Sequence, residues 1–365
     1  MSRKLTINWI FDYVGLSGGV KSNRLIAEAM VRRGHEVNLV YCERPDQTPP
    51  IWRVRSYLKH KKKERESQGK QQHHLESSTA NLLPVAHRPL LASDVPDADF
   101  TVATWWRTAV WMQDWPANKG VKGHFVRHHE VYGGDPDEVE AVYRMPIKKF
   151  VIARWLKTLM ADSYGDSSAA LVPNGVDWNQ FNYQPREKNS VPAVGFLYGV
   201  ANWKGAELAF TAVRKMQEII PELKVYAFGS HLIDKKFNDM LPANFEYFYK
   251  PSQKEIPEIY RKTDCWLMPS TLEGFGMPGL EAAACGCPVV STLCGGPEDY
   301  VVPGENGYLV AVNDADAMSE HALKILTADP QAWLVMSKNS ARIAEEFDWD
   351  KSAEKLERAM LEAIE

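Results

Sequence analysis

The sequence predicts an α/β protein made of two Rossmann-like, doubly wound domains that face a cleft. The first observation is length, because 365 residues exceed the size at which one hydrophobic core keeps growing. The second is the start of the chain, where an apolar strand, a glycine loop, an amphipathic helix and another apolar strand follow one another. The third is that this order restarts near residue 183, after a polar linker that contains proline. Each half is therefore predicted to form its own parallel sheet.

The first predicted domain covers residues 1–182. It opens with LTINWIFD as a strand, YVGLSGG as a loop, KSNRLIAEAMVRRG as a helix and HEVNLVY as the next strand. The alternation continues through DFTVATWW, GHFVRHH, KKFVIARWLKTLM and AALVPNG. A basic insertion is predicted near residues 51–80, where like charges crowd together.

The second predicted domain covers residues 183–347. Its first strand is VPAVGFLYG, a helix is predicted from Lys204 to about Ile220, and LKVYAFGS is the second strand. DCWLMPS and CPVVST read as strands on either side of the helical stretch GLEAAACG. Residues 348–365 are predicted as a final helix.

Composition excludes several classes of protein. Apolar residues make up 45% and charged residues 25%, which is typical of a globular rather than a disordered or fibrous chain. The net charge of −4 argues against a nucleic-acid partner. Five cysteines, an odd count, and the start MSRKLTINWIF, which has no apolar leader, favour a reduced cytoplasmic setting. No apolar run reaches the ~20 residues that a membrane helix needs.

The stretch TLEGFGMPGLE follows a predicted buried strand and leads into a helix. Ligands of doubly wound sheets bind at the carboxyl ends of strands, where backbone N–H groups at a helix start can face an anion. Glu273 and Glu281 would repel phosphate alone, but carboxylates accept hydrogen bonds from hydroxyl groups. Glu281 is expected in the first helical turn, and Pro278 at the first helical position. A ligand with a charged middle and hydroxyls at both ends fits, and a nucleotide sugar is such a ligand.

Together, several motifs resemble the family 4 retaining glycosyltransferases with the two-domain GT-B fold. EGFGMPGLE matches the E-x7-E signature of that family, and EAAACGCPVVST, GGPEDYVVPGENGYLV, VPNGVDWNQF and GLSGGVKSNRLIAEAMVRRGHEV continue in its style. The similarity covers most of the second domain and parts of the first. It also implies that the helix of residues 348–365 crosses back to the first domain.

The resemblance implies a role for each candidate site residue. Glu273 would contact hydroxyls of the donor sugar and Glu281 the nucleotide ribose, while Lys204 would pair with the diphosphate. His129 would lie near the reacting sugar and, with Glu273, is the candidate for catalysis. The remaining donor-binding candidates act through their backbone and are Gly18, Gly19, Phe275, Gly276 and Met277.

Two features of these motifs leave alternatives open. The family usually has an arginine a few residues before the lysine, but GFLYGVANW from Gly195 to Trp203 contains none, so Arg127, Arg154 and Lys250 are candidates to replace it. The GLSGG loop lacks the G-x-G-x-x-G spacing of a nicotinamide cofactor site, and a plain tight turn is the alternative to phosphate binding.

No metal site is predicted. On a strand, His124 and His128 would share a face but lie about 13 Å apart, too far for one zinc ion. His128 and His129 would point to opposite faces, so at most one of them faces the cleft. The D-x-D triplets at Asp314 and Asp348 introduce helices and read as caps.

These observations predict a metal-independent hexosyltransferase that moves a sugar from a nucleoside diphosphate sugar to a glycan or lipid-linked acceptor. A role in bacterial surface polysaccharide assembly is expected, with no cofactor other than the donor as co-substrate. A nucleotide-sugar epimerase of the same architecture and a non-catalytic relative that binds nucleotide or glycan are the alternatives. The expected location is cytoplasmic, with peripheral contact to the inner face of the membrane as a further option.

Membrane contact is assigned to Arg53–Lys70, which holds eight Lys or Arg against two Glu. Each basic residue near anionic headgroups adds about 1 kcal/mol of attraction. Deleting this segment is therefore expected to weaken co-sedimentation with anionic lipid vesicles and to leave hydrolysis of a soluble donor unchanged. A merely solvated insertion, the alternative interpretation, would leave vesicle binding equal before and after the deletion.

Overall fold

The computed structural model describes residues 3–43 and 73–365, which divide into two units. Unit 1 contains the described part of Met1–Ile152 together with Leu156–Pro173 and Trp349–Glu365. Unit 2 contains Ala153–Trp155 and Asn174–Asp348. The basic segment Arg53–Lys70 lies outside the described residues, so its membrane contact stays a prediction. Within the described ranges no helix is long and apolar enough to cross a membrane.

Unit 1 alternates strands and helices as the sequence predicts. Its strands are β1 (Thr6–Phe11), β2 (Glu36–Cys42), β3 (Asn81–Val85), β4 (Phe100–Ala103), β5 (Val121–Val126), β6 (Lys148–Val151) and β7 (Ala170–Leu171). Its helices are α1 (Gly18–Arg32), α2 (Trp106–Met112), α3 (Pro136–Tyr143), α4 (Arg154–Tyr164, whose first two residues are grouped with unit 2) and, at the end of the chain, α10 (Trp349–Ile364). The strands form one parallel sheet in the order β3-β2-β1-β4-β5-β6-β7.

Unit 2 repeats this architecture with a second parallel sheet. Its strands are β8 (Ala193–Leu197), β9 (Lys224–Gly229), β10 (Phe245–Tyr249), β11 (Cys265–Met268), β12 (Val289–Thr292) and β13 (Gly307–Val310). Its helices are α5 (Ala206–Ile219), α6 (Ile256–Arg261), α7 (Met277–Ala284), α8 (Ala315–Leu326) and α9 (Pro330–Ala344). The order β10-β9-β8-β11-β12-β13 reverses direction between β8 and β11, as in a doubly wound fold. Apolar side chains of β8, β9, β11 and α5 form the core.

The structure divides the chain between Pro173 and Asn174, earlier than the predicted boundary at 182/183. Residues 174–182 pack on unit 2 because their side chains find partners there. The amide of Gln180 donates to the carbonyl of Gln253 at 2.6 Å, and the ring of Phe181 packs on Tyr260. The polar composition of residues 174–182 is typical of a linker, so the sequence does not indicate these contacts.

The last helix, α10, packs on α1 within unit 1. Glu357 is almost fully buried and accepts a hydrogen bond from Nε of Arg33 at 2.6 Å. Its other oxygen lies 3.3 Å from Nε2 of His35. A buried carboxylate is stable only when it is paired in this way, so these contacts fix the position of the helix.

A fully buried histidine, His124, lies in the middle of unit 1. Its ring stacks on Tyr143 with centroids 6.0 Å apart, and neither ring nitrogen has a hydrogen-bond partner in the described part of the chain. Burial lowers the pKa of His124 to about 3, and the positive charge of Lys149 acts in the same direction. The folded protein therefore keeps this imidazole neutral at pH values where the unfolded chain protonates it.

Replacing His124 by leucine is expected to make the protein less sensitive to acid. Below the unfolded pKa of about 6.5, His124 is protonated in the unfolded chain but stays neutral in the native state until the pH approaches 3. His124 therefore reduces stability as the pH falls from about 6.5 toward 3. The loss of unfolding free energy between pH 7.5 and pH 4.5 should be smaller in His124→Leu by about 3 kcal/mol. Urea denaturation at both pH values measures it. The exposed His231→Leu is the matched control, and an equal effect of both substitutions would contradict the assignment.

Candidate active site

The candidate site of unit 2 lies where the strand order reverses. The loops that follow β8 and β11 leave the carboxyl edge of the sheet side by side, because these two strands are neighbours. In doubly wound sheets this edge is where ligands bind. Lys204 follows β8 and Glu273 follows β11, so the fold brings together two residues that the sequence separates widely.

Lys204, Glu273 and Ser270 form one hydrogen-bonded group. The Lys204 ammonium donates to Oε1 of Glu273 at 2.7 Å, and the Ser270 hydroxyl donates to the same oxygen at 2.6 Å. The Glu273 side chain is 10% exposed and that of Lys204 27%. Ser270 is the last residue of the predicted strand DCWLMPS and was assigned no role from the sequence, although a polar residue at the carboxyl end of a buried strand is a signal that points to it.

Local chain geometry places Lys204 at this point. The residue ends a short 3-10 turn, Asn202–Lys204, and α5 begins two residues later, so the predicted helix start at Lys204 is wrong. Gly205 has φ +65°, a left-handed conformation that glycine adopts without strain. A Cβ at Gly199 would lie 2.7 Å from Cγ of Lys204, so glycine leaves room for the lysine stem.

The glycine loop before α7 is held from outside by polar contacts. Gly276 has φ +77°, and its carbonyl accepts a hydrogen bond from the Tyr300 hydroxyl at 2.6 Å. The carbonyl of Gly274 accepts from the Trp155 indole at 3.0 Å. The Phe275 side chain is buried against Tyr300, and the donor contact expected of its backbone stays a prediction.

Glu281 lies in the second turn of α7 rather than in the first. The helix begins at Met277, Pro278 is its second residue, and the first turn has no acidic side chain. The Glu281 carboxylate accepts a hydrogen bond from the buried Tyr260 hydroxyl at 3.1 Å. The helix macrodipole, which acts only in the first turn, therefore contributes little to the position of Glu281.

The three candidates for the absent arginine lie in different surroundings. Arg154 pairs with Asp299 at 2.9 Å and donates to a backbone carbonyl in the same loop. Lys250, just after β10, lies over the ring of Tyr249. Arg127 belongs to unit 1 and is buried, which lowers its pKa to about 9. The replacement of the arginine by one of these three residues stays a prediction.

In unit 1, the loop GLSGG ends at the start of α1. Ser17 caps the helix, with its hydroxyl accepting from the backbone N–H of Val20 at 3.3 Å. Gly18 and Gly19 form the exposed first turn, and a Cβ at Gly18 would meet nothing within 4 Å. Gly18 and Gly19 thus stand at a helix N-terminus, where backbone N–H groups attract anions. Phosphate binding at these glycines stays a prediction.

His128 and His129 both lie after the end of β5, so strand alternation does not govern their directions. Nε2 of His129 lies 2.6 Å from the Tyr164 hydroxyl, and its ring packs against Tyr143. Burial lowers the pKa of His129, which keeps the imidazole neutral near pH 7. Its catalytic role stays a prediction, and the long-range partner Tyr164 was not visible in the sequence.

Two buried ionisable side chains, those of Arg127 and Glu130, flank these histidines in the sequence. Glu130 is fully buried and accepts a hydrogen bond from the backbone N–H of Trp106 at 3.0 Å. Burial raises the pKa of Glu130, against the opposing attraction of Arg127. Arg127 in turn donates to the Ser22 hydroxyl in α1 at 3.0 Å. The contact between Arg127 and Ser22 ties the end of β5 to α1.

Two cavities and a search for metal ligands complete the description. The loop after β8 lines a cavity of about 610 Å³, together with Asp234 and Asn313. A larger one of about 1100 Å³ lies in unit 1, where β5 and β6 begin, and not at a carboxyl edge. Among residues 3–43 and 73–365 no three His, Cys, Asp or Glu side chains are grouped to hold a metal ion. Asp314 caps α8, as predicted for that D-x-D triplet.

Comparison with known proteins finds a family similarity in the second half of the chain. Residues 180–346 match the family model described as glycosyl transferases group 1. Over these residues unit 2 is similar to that family. The matched residues contain Lys204 as well as the strand β11, the glycine loop and α7. Glu273 and Glu281 lie within this range too.

Solved structures resemble the whole chain. HepE of Anabaena, solved in complex with UDP and glucose, superposes with a TM-score of 0.73 over 98% of this chain and 100% of that one, at 15% identity. The predicted GT-B fold, with two Rossmann-like domains in one chain, is confirmed. At this level of identity the likeness concerns the fold alone.

Curated relatives match over part of their length. D-inositol 3-phosphate glycosyltransferase of Corynebacterium urealyticum is 29% identical over 46% of this chain and 42% of its own length. A GDP-mannose-dependent phosphatidylinositol monomannoside mannosyltransferase of Mycolicibacterium smegmatis is 29% identical over 49% of this chain and 53% of its own. The chain thus spans about half the length of these two relatives.

Gly276→Ala is expected to destabilise unit 2 more than Gly304→Ala. Both glycines have positive φ, so each substitution costs about 1 kcal/mol of backbone strain. At Gly276 the new Cβ would also lie 2.8 Å from Pro297 and 2.9 Å from the Tyr300 hydroxyl, whereas at Gly304 nothing lies within 4 Å. We expect an additional loss of about 2 kcal/mol at Gly276, measured by urea denaturation. Equal losses would show that the loop is not tightly held.

Proposed function

We propose that this protein is a metal-independent, retaining hexosyltransferase. It moves a sugar from a nucleoside diphosphate sugar to a glycan or lipid-linked acceptor. Unit 2 holds the donor, with Lys204 at the diphosphate, Glu273 at the sugar hydroxyls and Glu281 at the ribose. The backbone of Phe275, Gly276 and Met277 borders the donor.

The observation that carries this proposal is the contact between Lys204 and Glu273 at the reversal point of the sheet. A cation and a carboxylate are 2.7 Å apart, beside the glycine-lined start of α7. A diphosphate needs the cation, and a sugar needs the hydrogen-bond acceptor. In a site for phosphate alone, the Glu273 carboxylate would repel the ligand. In a site for a sugar without phosphate, the Lys204 ammonium would have no anion to bind.

This geometry supports a reaction in which the enzyme acts chiefly by electrostatics. The bond between the anomeric carbon and the diphosphate oxygen breaks, and Lys204 stabilises the charge that develops on the leaving group. The acceptor hydroxyl attacks from the same face and gives its proton to a departing phosphate oxygen. Oε1 of Glu273 is already held by two donors, which suits hydrogen bonding to the sugar better than nucleophilic attack.

The acceptor class is supported by the names of the relatives. An inositol phosphate and a phosphatidylinositol glycolipid appear in the names of the two curated relatives. A lipopolysaccharide outer core galactosyltransferase also resembles the chain, with a TM-score of 0.70 at 14% identity. A glycan or lipid-linked acceptor in bacterial surface polysaccharide assembly is therefore our proposal for this chain.

Incubation with a panel of nucleotide sugars tests the proposal. UDP-glucose, GDP-mannose and their counterparts are supplied with and without oligosaccharide or polyprenyl-linked acceptors, in the presence of a chelator. We expect release of nucleoside diphosphate and labelling of an acceptor, undiminished by the chelator. A changed sugar without release would indicate an epimerase. Binding without either change would indicate a non-catalytic relative, which the lack of arginine between Gly195 and Trp203 favours.

A further inference from the structure

We propose that Ser270 is a positioning residue that orients the Glu273 carboxylate, so that Oε2 is presented to the donor sugar. This inference rests on the proposed function and assigns a role to a residue that the sequence motif does not contain. Ser270 acts through Glu273 and need not touch the ligand itself.

The two oxygens of Glu273 are in different situations. Oε1 accepts hydrogen bonds from Ser270 at 2.6 Å and from Lys204 at 2.7 Å. Oε2 has no hydrogen-bond partner within the described residues, although the residue as a whole is only 8% exposed. A carboxylate oxygen has two lone pairs, and both are occupied on Oε1. The remaining oxygen is therefore the acceptor for a hydroxyl group.

The two donors on Oε1 differ in stiffness. Ser270 is 3% exposed, and its backbone carbonyl accepts a hydrogen bond from the Thr292 side chain. The backbone N–H of Glu273 donates to the carbonyl of Cys294 at 2.7 Å. Ser270 is thus a short donor on a fixed loop, whereas Lys204 is a long, partly exposed side chain with four rotatable bonds.

This difference assigns separate tasks to the two donors. When a diphosphate arrives, the Lys204 ammonium turns from the carboxylate toward the phosphate oxygens, which carry more charge. Ser270 then remains as the donor that holds Oε1. Without its hydroxyl, Glu273 would rotate among several orientations and lose its fixed acceptor. The sugar would be held more weakly, while the nucleotide part of the ligand would keep its own contacts.

The test compares Ser270→Ala with Ser270→Thr and with Ser291→Ala. Threonine keeps the hydroxyl, and Ser291 is an equally buried serine of β12 whose hydroxyl donates to a backbone carbonyl rather than to Glu273. Affinities for UDP, GDP, UDP-glucose and GDP-mannose are measured by calorimetry, and kcat and KM with whichever donor the wild type uses. Thermal melts verify that each variant is folded.

We expect Ser270→Ala to lower the affinity for the nucleotide sugar and kcat/KM about tenfold, since a hydrogen bond to a charged group is lost. The affinity for the free nucleoside diphosphate should stay within about twofold. Ser270→Thr should recover most of the loss, and Ser291→Ala should behave like the wild type. In a Glu273→Gln background, Ser270→Ala should cause little further loss, because both substitutions remove the same oriented acceptor.

Several outcomes would overturn the inference. One is an equal loss of affinity for free nucleotide and nucleotide sugar in Ser270→Ala, which would indicate a structural role. Another is full additivity of Ser270→Ala and Glu273→Gln, or unchanged kinetics in Ser270→Ala. If Ser270→Ala fails to fold, Ser270→Cys takes its place. Ser270→Cys is then compared with Ser270→Thr, and it is combined with Glu273→Gln in the double-substitution cycle. A wild type that binds no nucleotide sugar at all would instead reject the proposed function.

Discussion

The adjacency of β8 and β11 is the constraint on which the site of unit 2 depends. Parallel strands of a doubly wound sheet end at one edge, and the reversal of strand order opens the space between these two ends. Lys204 and Glu273, 69 positions apart in the sequence, meet there at 2.7 Å. The glycines around them let one backbone pass close to another. The chemistry of the site is thus a consequence of sheet topology.

Burial makes the ion pair at this edge costly to disturb. A carboxylate that is 8% exposed must be compensated by donors, and Glu273 has two of them on one oxygen. Removing one partner of a buried pair costs about 3–5 kcal/mol, because the other charge remains desolvated. The two donors on Oε1 therefore stabilise the empty site as well as orient the carboxylate.

Much of the fold could be predicted from the sequence because its strands are apolar and its loops are rich in glycine. The strand Cys265–Met268, the loop with Gly276 and the helix that follows lie close to their expected positions. The strand β10, Phe245–Tyr249, was not predicted, since Glu246 interrupts its apolar pattern at the edge of the sheet. Local pattern thus predicts element type best where both faces of a strand are buried.

The partners of the site residues could not be predicted, because they come from distant parts of the sequence. Tyr260 bonds to Glu281, Tyr164 to His129 and Tyr300 to the carbonyl of Gly276. Tyr164 and Tyr260 stand in no motif, and the motif GGPEDYVVPGENGYLV, which contains Tyr300, does not indicate what its hydroxyl contacts. Only the packing of helices on the sheet brings these tyrosines close to their partners. The E-x7-E spacing singles out two carboxylates as donor-binding candidates. It contained no signal for the hydroxyl groups that orient them.

The most direct test of the account is a crystal structure of the protein with an intact nucleotide sugar. We predict a sugar hydroxyl within about 3.2 Å of Oε2 of Glu273 and the Lys204 ammonium on a diphosphate oxygen, with Ser270 still bonded to Oε1. A ligand bound elsewhere on unit 2, with the contact between Lys204 and Glu273 unchanged, would contradict the account.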